Sequence, residues 1–379
     1  MTKIIPVSRP KLVKKDFDAV LTALTNLELS GHSKEIQKFE TTLGEFLKSR
    51  SNVIAVSSGT SALDLIADAL NISNTSTVIC SSFTIISSVA EIARRGAKII
   101  FIDADPENWC LDLKELERAL TDYPEASAVY ATHIYNSAFD ASKVVDITAS
   151  RKICFVEDAA EALGSTLNGK PLGTYGDIGI FSFYANKLIT TGEGGAIITS
   201  NPEFNQKLRS LRNLGFNVSS RFIHQNLGRN VRMSGINAAL GTSQVGSIKN
   251  FLNHRELLYK KYFLELSSLE EISFQKIDFS ALKFKSSYWV MPIFLTKLSK
   301  FSAEEFQELL LEEGIESRRF FYPLHLQPAL SQIDSLIYGS GRVSEELWER
   351  GLYLPMGSGI ELNEVELVCE KIRKIFSKK

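Results

Sequence analysis

Short apolar runs rich in β-branched residues alternate with helical patterns from residue 53 to residue 157 of the chain. The apolar runs occupy residues 53–56, 77–80, 97–103, 126–131 and 153–157. Apolar positions with a helical spacing separate the first runs at residues 61–70 and 86–95. This alternation is typical of βαβ units, so we predict an α/β fold with a mostly parallel sheet flanked by helices.

The pattern changes after residue 245. A long helical stretch at residues 248–266 is followed by a candidate strand at residues 287–295 and by helices near residues 303–313 and 364–376. A chain of 379 residues is also longer than one compact core usually needs. We therefore predict a large domain at residues 1–246 and a smaller C-terminal α+β domain at residues 247–379.

The charge balance excludes several classes of partner. The chain has 43 basic and 44 acidic side chains, without the basic surplus that binds nucleic acid or an anionic membrane.

No apolar run reaches the roughly 18 residues of a membrane span, and Pro6 and Pro10 interrupt the region where a signal peptide needs an apolar core. The four cysteines are scattered without a CxxC pair. We therefore expect a cytoplasmic protein with no disulfide framework and no metal site.

Three polar segments follow predicted strands, where ligands of open α/β sheets bind. The first contains Ser58, Gly59 and Thr60, between an apolar run and the helical pattern at residues 61–70. Small residues at a helix N-terminus leave main-chain N–H groups and the positive end of the helix dipole available to a phosphate. An ordinary helix cap is the alternative interpretation of the same residues.

The second segment places Asp158 at the end of the apolar run at residues 153–157. A carboxylate there can keep the ring nitrogen of a heteroaromatic cofactor protonated, which makes the ring an electron sink. A helix cap is again the alternative.

The third segment, residues 181–195, contains Lys187 between aromatic residues and a glycine-rich turn. Poor solvation disfavours the ammonium form, so the amine becomes nucleophilic and can form an imine. A single lysine is more often a solvated surface charge, and only its neighbours favour the catalytic interpretation.

A fourth segment imitates a phosphate-binding loop. Residues 164–170 have the P-loop spacing, but Pro171 stands where a Ser or Thr is required, and a helical pattern precedes the segment in place of a strand. We predict a β-turn at Asn168 and Gly169 instead.

Residues 57–62, 157–160, 182–195 and 228–234 together resemble the DegT/DnrJ/EryC1/StrS sugar aminotransferase family. The likeness covers nearly the whole chain, and the lysine segment with its trailing Gly-Glu-Gly-Gly is its most specific part. The resemblance implies fold type I of the transferases that depend on pyridoxal 5'-phosphate (PLP), with a seven-stranded sheet in the large domain. It also implies PLP as cofactor and a homodimer with shared active sites.

The resemblance assigns roles to individual residues. Lys187 is implied as the Schiff-base lysine and Asp158 as the partner of the pyridine nitrogen. Phe83 is implied to stack on the cofactor ring. Glu161 would lie near the phenolic oxygen, with an exposed glutamate in a first helical turn as the alternative. The residues implied for the phosphate end of the cofactor are Ser58, Gly59, Thr60, Ser182 and, acting from the other subunit, Asn230.

Residues 186–192, 319–325 and 354–359 resemble the branch of the family that aminates C4 of a 4-keto-6-deoxy sugar on GDP. This likeness implies a ping-pong transfer from glutamate, which leaves as 2-oxoglutarate, to a nucleotide-linked keto sugar. It assigns His325 and Tyr322 to the substrate side, with a packed or surface histidine as the alternative for His325. No motif fixes the residues that hold the donor carboxylates, for which Arg229 and Arg319 are the candidates.

Three other functions compete with the aminotransferase interpretation. A PLP sugar dehydratase of the same family resembles this chain but has histidine in place of the lysine, whereas Lys187 is present here. A nicotinamide-dependent sugar oxidoreductase would need a GxGxxG segment after the first strand, and the sequence has none. The third is a family member without catalysis that acts as a regulator or binding protein.

Overall fold

An eight-stranded sheet forms the centre of the molecule. The computed structural model describes residues 4–48, 52–216, 222–277 and 283–377. In spatial order the strands are β1 (Asn52–Val56), β9 (Gly195–Thr199), β8 (Ile178–Ser182), β5 (Cys154–Asp158), β4 (Ala128–Thr132), β2 (Thr77–Ser81), β3 (Lys98–Ile102) and β13 (Ser335–Tyr338). β9 is antiparallel to both of its neighbours, and the other neighbouring pairs are parallel. The predicted α/β fold with a mostly parallel sheet is confirmed.

Alternate residues of β1 show that both faces of this sheet are buried. Val53 and Ala55 belong to one apolar core, and Ile54 and Val56 belong to the core on the opposite face. The first core includes residues of α2 (Lys34–Phe46), α5 (Leu113–Asp122) and α6 (Ala141–Ala149). The second core includes residues of α3 (Gly59–Ala69), α4 (Ala90–Arg94) and α7 (Pro202–Arg212). Burial on both faces explains why the strands are nearly continuous apolar runs.

The C-terminal part of the chain forms a second, antiparallel sheet. Its strand order is β10 (Ile272–Phe274), β11 (Met291–Leu295), β14 (Gly351–Leu354) and β12 (Arg318–Arg319). A third apolar core joins this sheet to α9 (Ile248–Leu266), α10 (Ala303–Glu312) and α12 (Leu362–Ser377). The remaining helices are α1 (Lys14–Thr25), α8 (Gly235–Val245) and α11 (Arg342–Arg350).

The predicted boundary between residues 246 and 247 falls between α8 and α9, and it remains a prediction. Two segments connect the parts on either side of it. β13 pairs with β3 and adds an eighth strand to the seven that were expected. Near the N-terminus, Ile5 forms a bridge with Ile315. The two parts are therefore joined by main-chain hydrogen bonds as well as by the chain itself.

Two elements differ from the sequence-based prediction. The helix predicted at residues 86–95 is divided into a 3-10 turn, Ile86–Ser88, and the short α4, because Val89 between them has a φ of -126°. The strand predicted at residues 287–295 begins only at Met291, because Tyr288 has a φ of 51° and cannot continue an extended strand. The irregular backbone at residues 287–290 places the Trp289 ring beside the Lys187 side chain.

The segment with P-loop spacing, residues 164–170, is part of a β-hairpin. β6 (Thr166–Leu167) and β7 (Lys170–Pro171) pair antiparallel across Asn168 and Gly169, whose φ values are 50° and 79°. Positive φ at both central residues is typical of a type I′ turn, so the turn prediction is confirmed. No helix within the described residues is long and apolar enough to cross a membrane.

Candidate active site

A cavity of about 290 Å³ lies at the carboxyl ends of the central strands. Residues at or just after the carboxyl ends of β2, β4, β5 and β8 all contribute to its walls, because these strands are neighbours in the sheet. The residues predicted from the sequence that line it are Ser58, Gly59, Thr60, Asp158, Glu161, Ser182 and Lys187. The three polar segments therefore meet in one cavity.

The N-terminus of α3 forms one wall. Ser58 is its N-cap, and the Ser58 hydroxyl accepts a hydrogen bond from the Ser61 N–H at 3.0 Å. The N–H groups of Gly59 and Thr60 precede the first intrahelical hydrogen bonds, so they are available to a ligand. A β-carbon on Gly59 would lie 3.1 Å from that of Ser182, so the glycine allows the end of β8 to approach this helix. The cap and the anion cradle are thus the same structure, and the two interpretations of these residues are compatible.

Asp158 ends β5 with its side chain 2% exposed. One of its oxygens accepts from the Ala160 N–H at 3.0 Å and the other from the Ser88 hydroxyl at 3.2 Å. Burial raises the pKa of Asp158. The neighbouring Glu157 is directed away from the cavity, where it binds His133 and main-chain N–H groups of residues 173–176. Strand alternation therefore selects Asp158 as the carboxylate of this cavity.

Lys187 lies in the loop between β8 and β9. The Lys187 N–H donates to the Tyr184 carbonyl at 2.9 Å, and the Thr191 N–H donates to the Phe183 carbonyl at 3.0 Å. Gly192 has a φ of 80°, a conformation that permits the turn back into β9. The glycines after the lysine therefore close a compact loop that holds the side chain over the sheet edge.

The Lys187 amine is largely removed from water, with 13% of its side chain exposed. Its Nζ lies 3.8 Å from the centroid of the Trp289 ring and 3.9 Å from Oε1 of Glu161. Burial lowers the pKa of Lys187, and burial raises the pKa of Glu161. Both shifts favour the neutral forms, so the cavity favours an uncharged, nucleophilic amine. The aromatic contact comes from Trp289, whereas Phe183 of the flanking sequence packs on Phe39.

These residues fit a PLP molecule. The cavity has main-chain N–H groups at a helix N-terminus for a phosphate, a buried carboxylate for a ring nitrogen and a desolvated amine for an aldehyde. Oδ1 of Asn186, which also lines the cavity, is buried with no hydrogen-bond partner among the described residues. A buried polar atom without a partner is costly, which indicates that a ligand supplies one.

Glu161 is 7% exposed, so it is not an exposed glutamate of a first helical turn. Its Oε2 accepts from the Tyr135 N–H at 2.7 Å, and its other oxygen faces Lys187. The structure therefore places Glu161 inside the cavity.

Phe83 lies outside the lining of the cavity. Its ring packs edge-on against Tyr135 and Phe320. Ile85, two residues further along the chain, does line it and is 47% exposed. The side chain available to cover a flat ring on this wall is therefore aliphatic.

His325 and Tyr322 lie outside the lining of this cavity. His325 is held between the Ser82 hydroxyl, 2.7 Å from its Nδ1, and Glu345, 3.3 Å from its Nε2. The Tyr322 ring packs edge-on against Trp348. The structure supports the packed alternative for His325, and the neighbouring Phe321 reaches the cavity instead.

Neither candidate arginine for the donor carboxylates reaches the cavity. Arg229 binds carboxylates of α3 and α4, with 2.8 Å to Asp68 and 2.5 Å to Glu91. Arg319 donates to the Trp348 carbonyl at 2.8 Å and lies over the Trp348 ring. The arginine that lines the cavity is Arg318, opposite Tyr353 in the pairing of β12 with β14.

Asn230 is exposed and does not line the cavity of its own chain. The next residue, Val231, is hydrogen-bonded to the segment before α3, because its carbonyl accepts from the Ser57 N–H at 2.9 Å. Asn230 Oδ1 accepts from Arg232, which leaves the amide NH₂ as a donor.

Sequence reasoning missed several lining residues. Trp289, Arg318 and Tyr353 come from the C-terminal part of the chain, and no local motif marks them. Asn186 lies inside the lysine motif, so its position next to Lys187 was the one available signal.

Comparison with known proteins agrees with this geometry. The model of the DegT/DnrJ/EryC1/StrS aminotransferase family matches residues 10–373. GDP-perosamine synthase of Escherichia coli O157:H7 is 33% identical over 377 residues, covering 100% of both chains. The aminotransferase TlmJ of Streptoalloteichus hindustanus has a TM-score of 0.89 at 25% identity, covering 99% of both chains.

The E coli GDP-4-keto-6-deoxy-D-mannose-3-dehydratase with bound hydrated PLP also has a TM-score of 0.89. It is 21% identical, with 97% of this chain and 99% of that one covered. This likeness shows the fold alone. The family match extends over almost the entire chain and includes every residue that lines the cavity. The chain therefore belongs to the DegT/DnrJ/EryC1/StrS family and is a PLP-dependent aminotransferase.

Proposed function

We propose that this enzyme transfers the amino group of glutamate to a nucleotide-linked 4-keto-6-deoxy sugar, with GDP as the nucleotide. The observation that carries the proposal is the buried Lys187 amine, which faces Glu161 and Trp289 in the cavity that Asp158 also lines. The sequence likeness to GDP-perosamine synthase over the full chain supports the substrate class. A cytoplasmic enzyme fits this function, because nucleotide sugars and glutamate are soluble metabolites.

The residues of the cavity would have separate roles in binding the cofactor and in moving protons. PLP supplies an aldehyde that exchanges amines and a pyridine ring that accepts electrons. Asp158 would hold the proton on the ring nitrogen, and Gly59 and Thr60 would bind the phosphate through their N–H groups. The Lys187 amine would move the proton from the α-carbon of glutamate to the cofactor in the first half-reaction. In the second half-reaction it would move a proton from the cofactor to the sugar carbon that receives the amino group. The two half-reactions share one site, so the order of reaction is ping-pong.

We assign one donor carboxylate to Arg318. The charged residues lining the cavity are three acids, Asp158, Glu161 and Glu193, and two cations, Lys187 and Arg318. Glutamate brings two carboxylates, and a carboxylate that leaves water for this cavity needs a cation to receive it. Since Lys187 is required for the chemistry, Arg318 is the described cation left for this contact.

The dehydratase alternative shares the fold but differs at the residue that acts as base. Relatives of that branch resemble this chain with histidine at the position of Lys187. A lysine can both bond to an aldehyde and move protons, whereas histidine only moves protons. The presence of Lys187 therefore favours the aminotransferase.

We further propose a homodimer in which Asn230 completes the other subunit's phosphate site. Asn230 is exposed and lies outside the cavity of its own chain, while its NH₂ remains a donor. The two cations in the described lining, Lys187 and Arg318, are assigned to the cofactor aldehyde and to the donor, which leaves neither for the phosphate. A neutral donor from a second chain would add to the main-chain N–H groups there.

The substrate is tested with a panel of GDP-, UDP- and dTDP-linked 4-keto and 3-keto sugars, each incubated with glutamate and analysed by mass spectrometry. We expect the amino product from the GDP-linked 4-keto-6-deoxy sugar, with 2-oxoglutarate formed in equal amount. Lys187→Ala is the control and should reduce turnover at least about a hundredfold. Amination of a 3-keto sugar alone, or a strong preference for UDP or dTDP, would contradict the substrate assignment.

The role of Arg318 is tested by comparing Arg318→Gln with the adjacent Arg319→Gln. Loss of a charged hydrogen bond to a carboxylate should raise the KM for glutamate about ten- to a hundredfold in Arg318→Gln. Arg319→Gln should stay within about twofold, because its guanidinium binds Trp348 outside the cavity. An increase confined to the KM for the sugar nucleotide would show that Arg318 binds the pyrophosphate instead, and equal effects of both variants would refute its role.

The shared site is tested by mixing two inactive variants. Asn230→Asp places a carboxylate against the phosphate and should prevent cofactor binding, while Lys187→Ala lacks the amine. After subunit exchange, one site of each mixed dimer combines the intact Lys187 of one chain with the intact Asn230 of the other, so activity should return. Dimers that exchange subunits, as shown by native mass spectrometry, but remain inactive would exclude a role for Asn230 across the interface.

A further inference from the structure

Arg255 is a buried cation that the proposed reaction does not use. It lies in α9 with 1% of its surface exposed, and no carboxylate lies within ion-pair distance of it among the described residues. Burying a charge without a counterion is costly unless strong hydrogen bonds compensate. The arginine therefore needs a structural or functional reason.

The hydrogen bonds of Arg255 converge on the lysine loop. Nη2 donates to the main-chain carbonyl of Lys187 at 2.9 Å, and Nη1 donates to the carbonyl of Trp289 at 2.8 Å. Nε donates to the Ser358 hydroxyl at 3.2 Å. The planar guanidinium thus links the two residues whose side chains are in contact in the cavity.

Trp289 completes the connection from the opposite side. Its indole N–H donates to the carbonyl of Asn186 at 3.1 Å, while the face of the same ring lies 3.8 Å from Lys187 Nζ. The carbonyls of Asn186 and Lys187 are therefore both bound, one by Trp289 and one by Arg255. Trp289 is itself 4% exposed, and both hydrogen bonds are partly buried.

We infer that Arg255 and Trp289 fix the main chain at Asn186 and Lys187 and hold the amine against the indole face. We call these two residues the clamp. Both are positioning residues that act through Lys187. The inference rests on the proposed function, because it requires Lys187 to be the lysine that bonds to PLP. The buried positive charge of Arg255 also lowers the pKa of Lys187, which acts in the same direction.

The alternative is that Arg255 only stabilises the fold, and Arg350 provides a matched control. Arg350 also donates to two main-chain carbonyls, those of Leu295 and Thr296, in the small sheet outside the cavity. Replacing either arginine by lysine keeps the charge but removes the fork that binds two carbonyls at once. A purely structural role predicts that either variant slows the reaction of Lys187 only as far as it lowers the unfolding temperature, and Arg350 is the more exposed of the two arginines.

The test measures how fast the PLP-free full-length protein captures PLP at Lys187. Samples are quenched with borohydride at successive times, and the modified lysine is quantified by peptide mass spectrometry, with thermal unfolding recorded for every variant. We expect Arg255→Lys to slow capture at least about tenfold, because small displacements of a reacting group have large effects on rate. Trp289→Phe keeps a ring but loses the N–H and should slow capture to a smaller extent, whereas Arg350→Lys should stay within about twofold of the wild type.

The two clamp residues act on one peptide segment, so the double variant should be slowed by less than the product of the single effects. Capture at the wild-type rate by folded Arg255→Lys would overturn the clamp, and so would equal slowing by Arg350→Lys. If Arg255→Lys does not fold, Trp289→Phe decides alone, with slowed capture supporting the clamp and the wild-type rate refuting it. Failure of the proposed function is distinguishable, because in that case the wild-type protein itself would not be modified at Lys187.

Discussion

The removal of the Lys187 amine from water is the constraint on which the rest of the site depends. An ammonium ion in this position would lose hydration, and this loss outweighs its attraction to Glu161, 3.9 Å away, and to Asp158. The pKa of Lys187 is therefore lowered, which increases the share of the neutral amine, and only the neutral amine is a nucleophile. Asp158 lines the same cavity, where a cationic ring nitrogen would supply the charge partner that favours its ionised form.

The sheet topology supplies this arrangement without long loops. β5 and β8 are parallel neighbours, so Asp158 and the start of the lysine loop emerge at the same edge. β9 then returns antiparallel, which makes the lysine loop a compact connection closed by Gly192 and its neighbours. The C-terminal part adds Trp289, Arg318 and Tyr353 to the opposite walls. Both parts of the chain therefore contribute residues to the walls of the cavity.

Local patterns were enough to predict most strands, the large-sheet architecture and the motif residues of the site. They failed where distant contacts decide the outcome. β13 was missed because its four residues become a strand only by pairing with β3, and Trp289 was assigned to a strand that the positive φ of Tyr288 prevents. Ile85 and Arg318 line the cavity, whereas Phe83 and Arg319 do not. Which side chains face a cavity depends on tertiary packing, which one sequence does not reveal.

The central claim is that Lys187 is the residue that bonds covalently to the cofactor, and it can be measured directly. The PLP-loaded enzyme is reduced with borohydride, digested and analysed by mass spectrometry for lysines carrying a pyridoxyl phosphate group. The account predicts stoichiometric modification of the peptide containing Lys187, with loss of the visible absorbance of the cofactor. Modification concentrated on another lysine, or retention of PLP with no lysine modified, would contradict it.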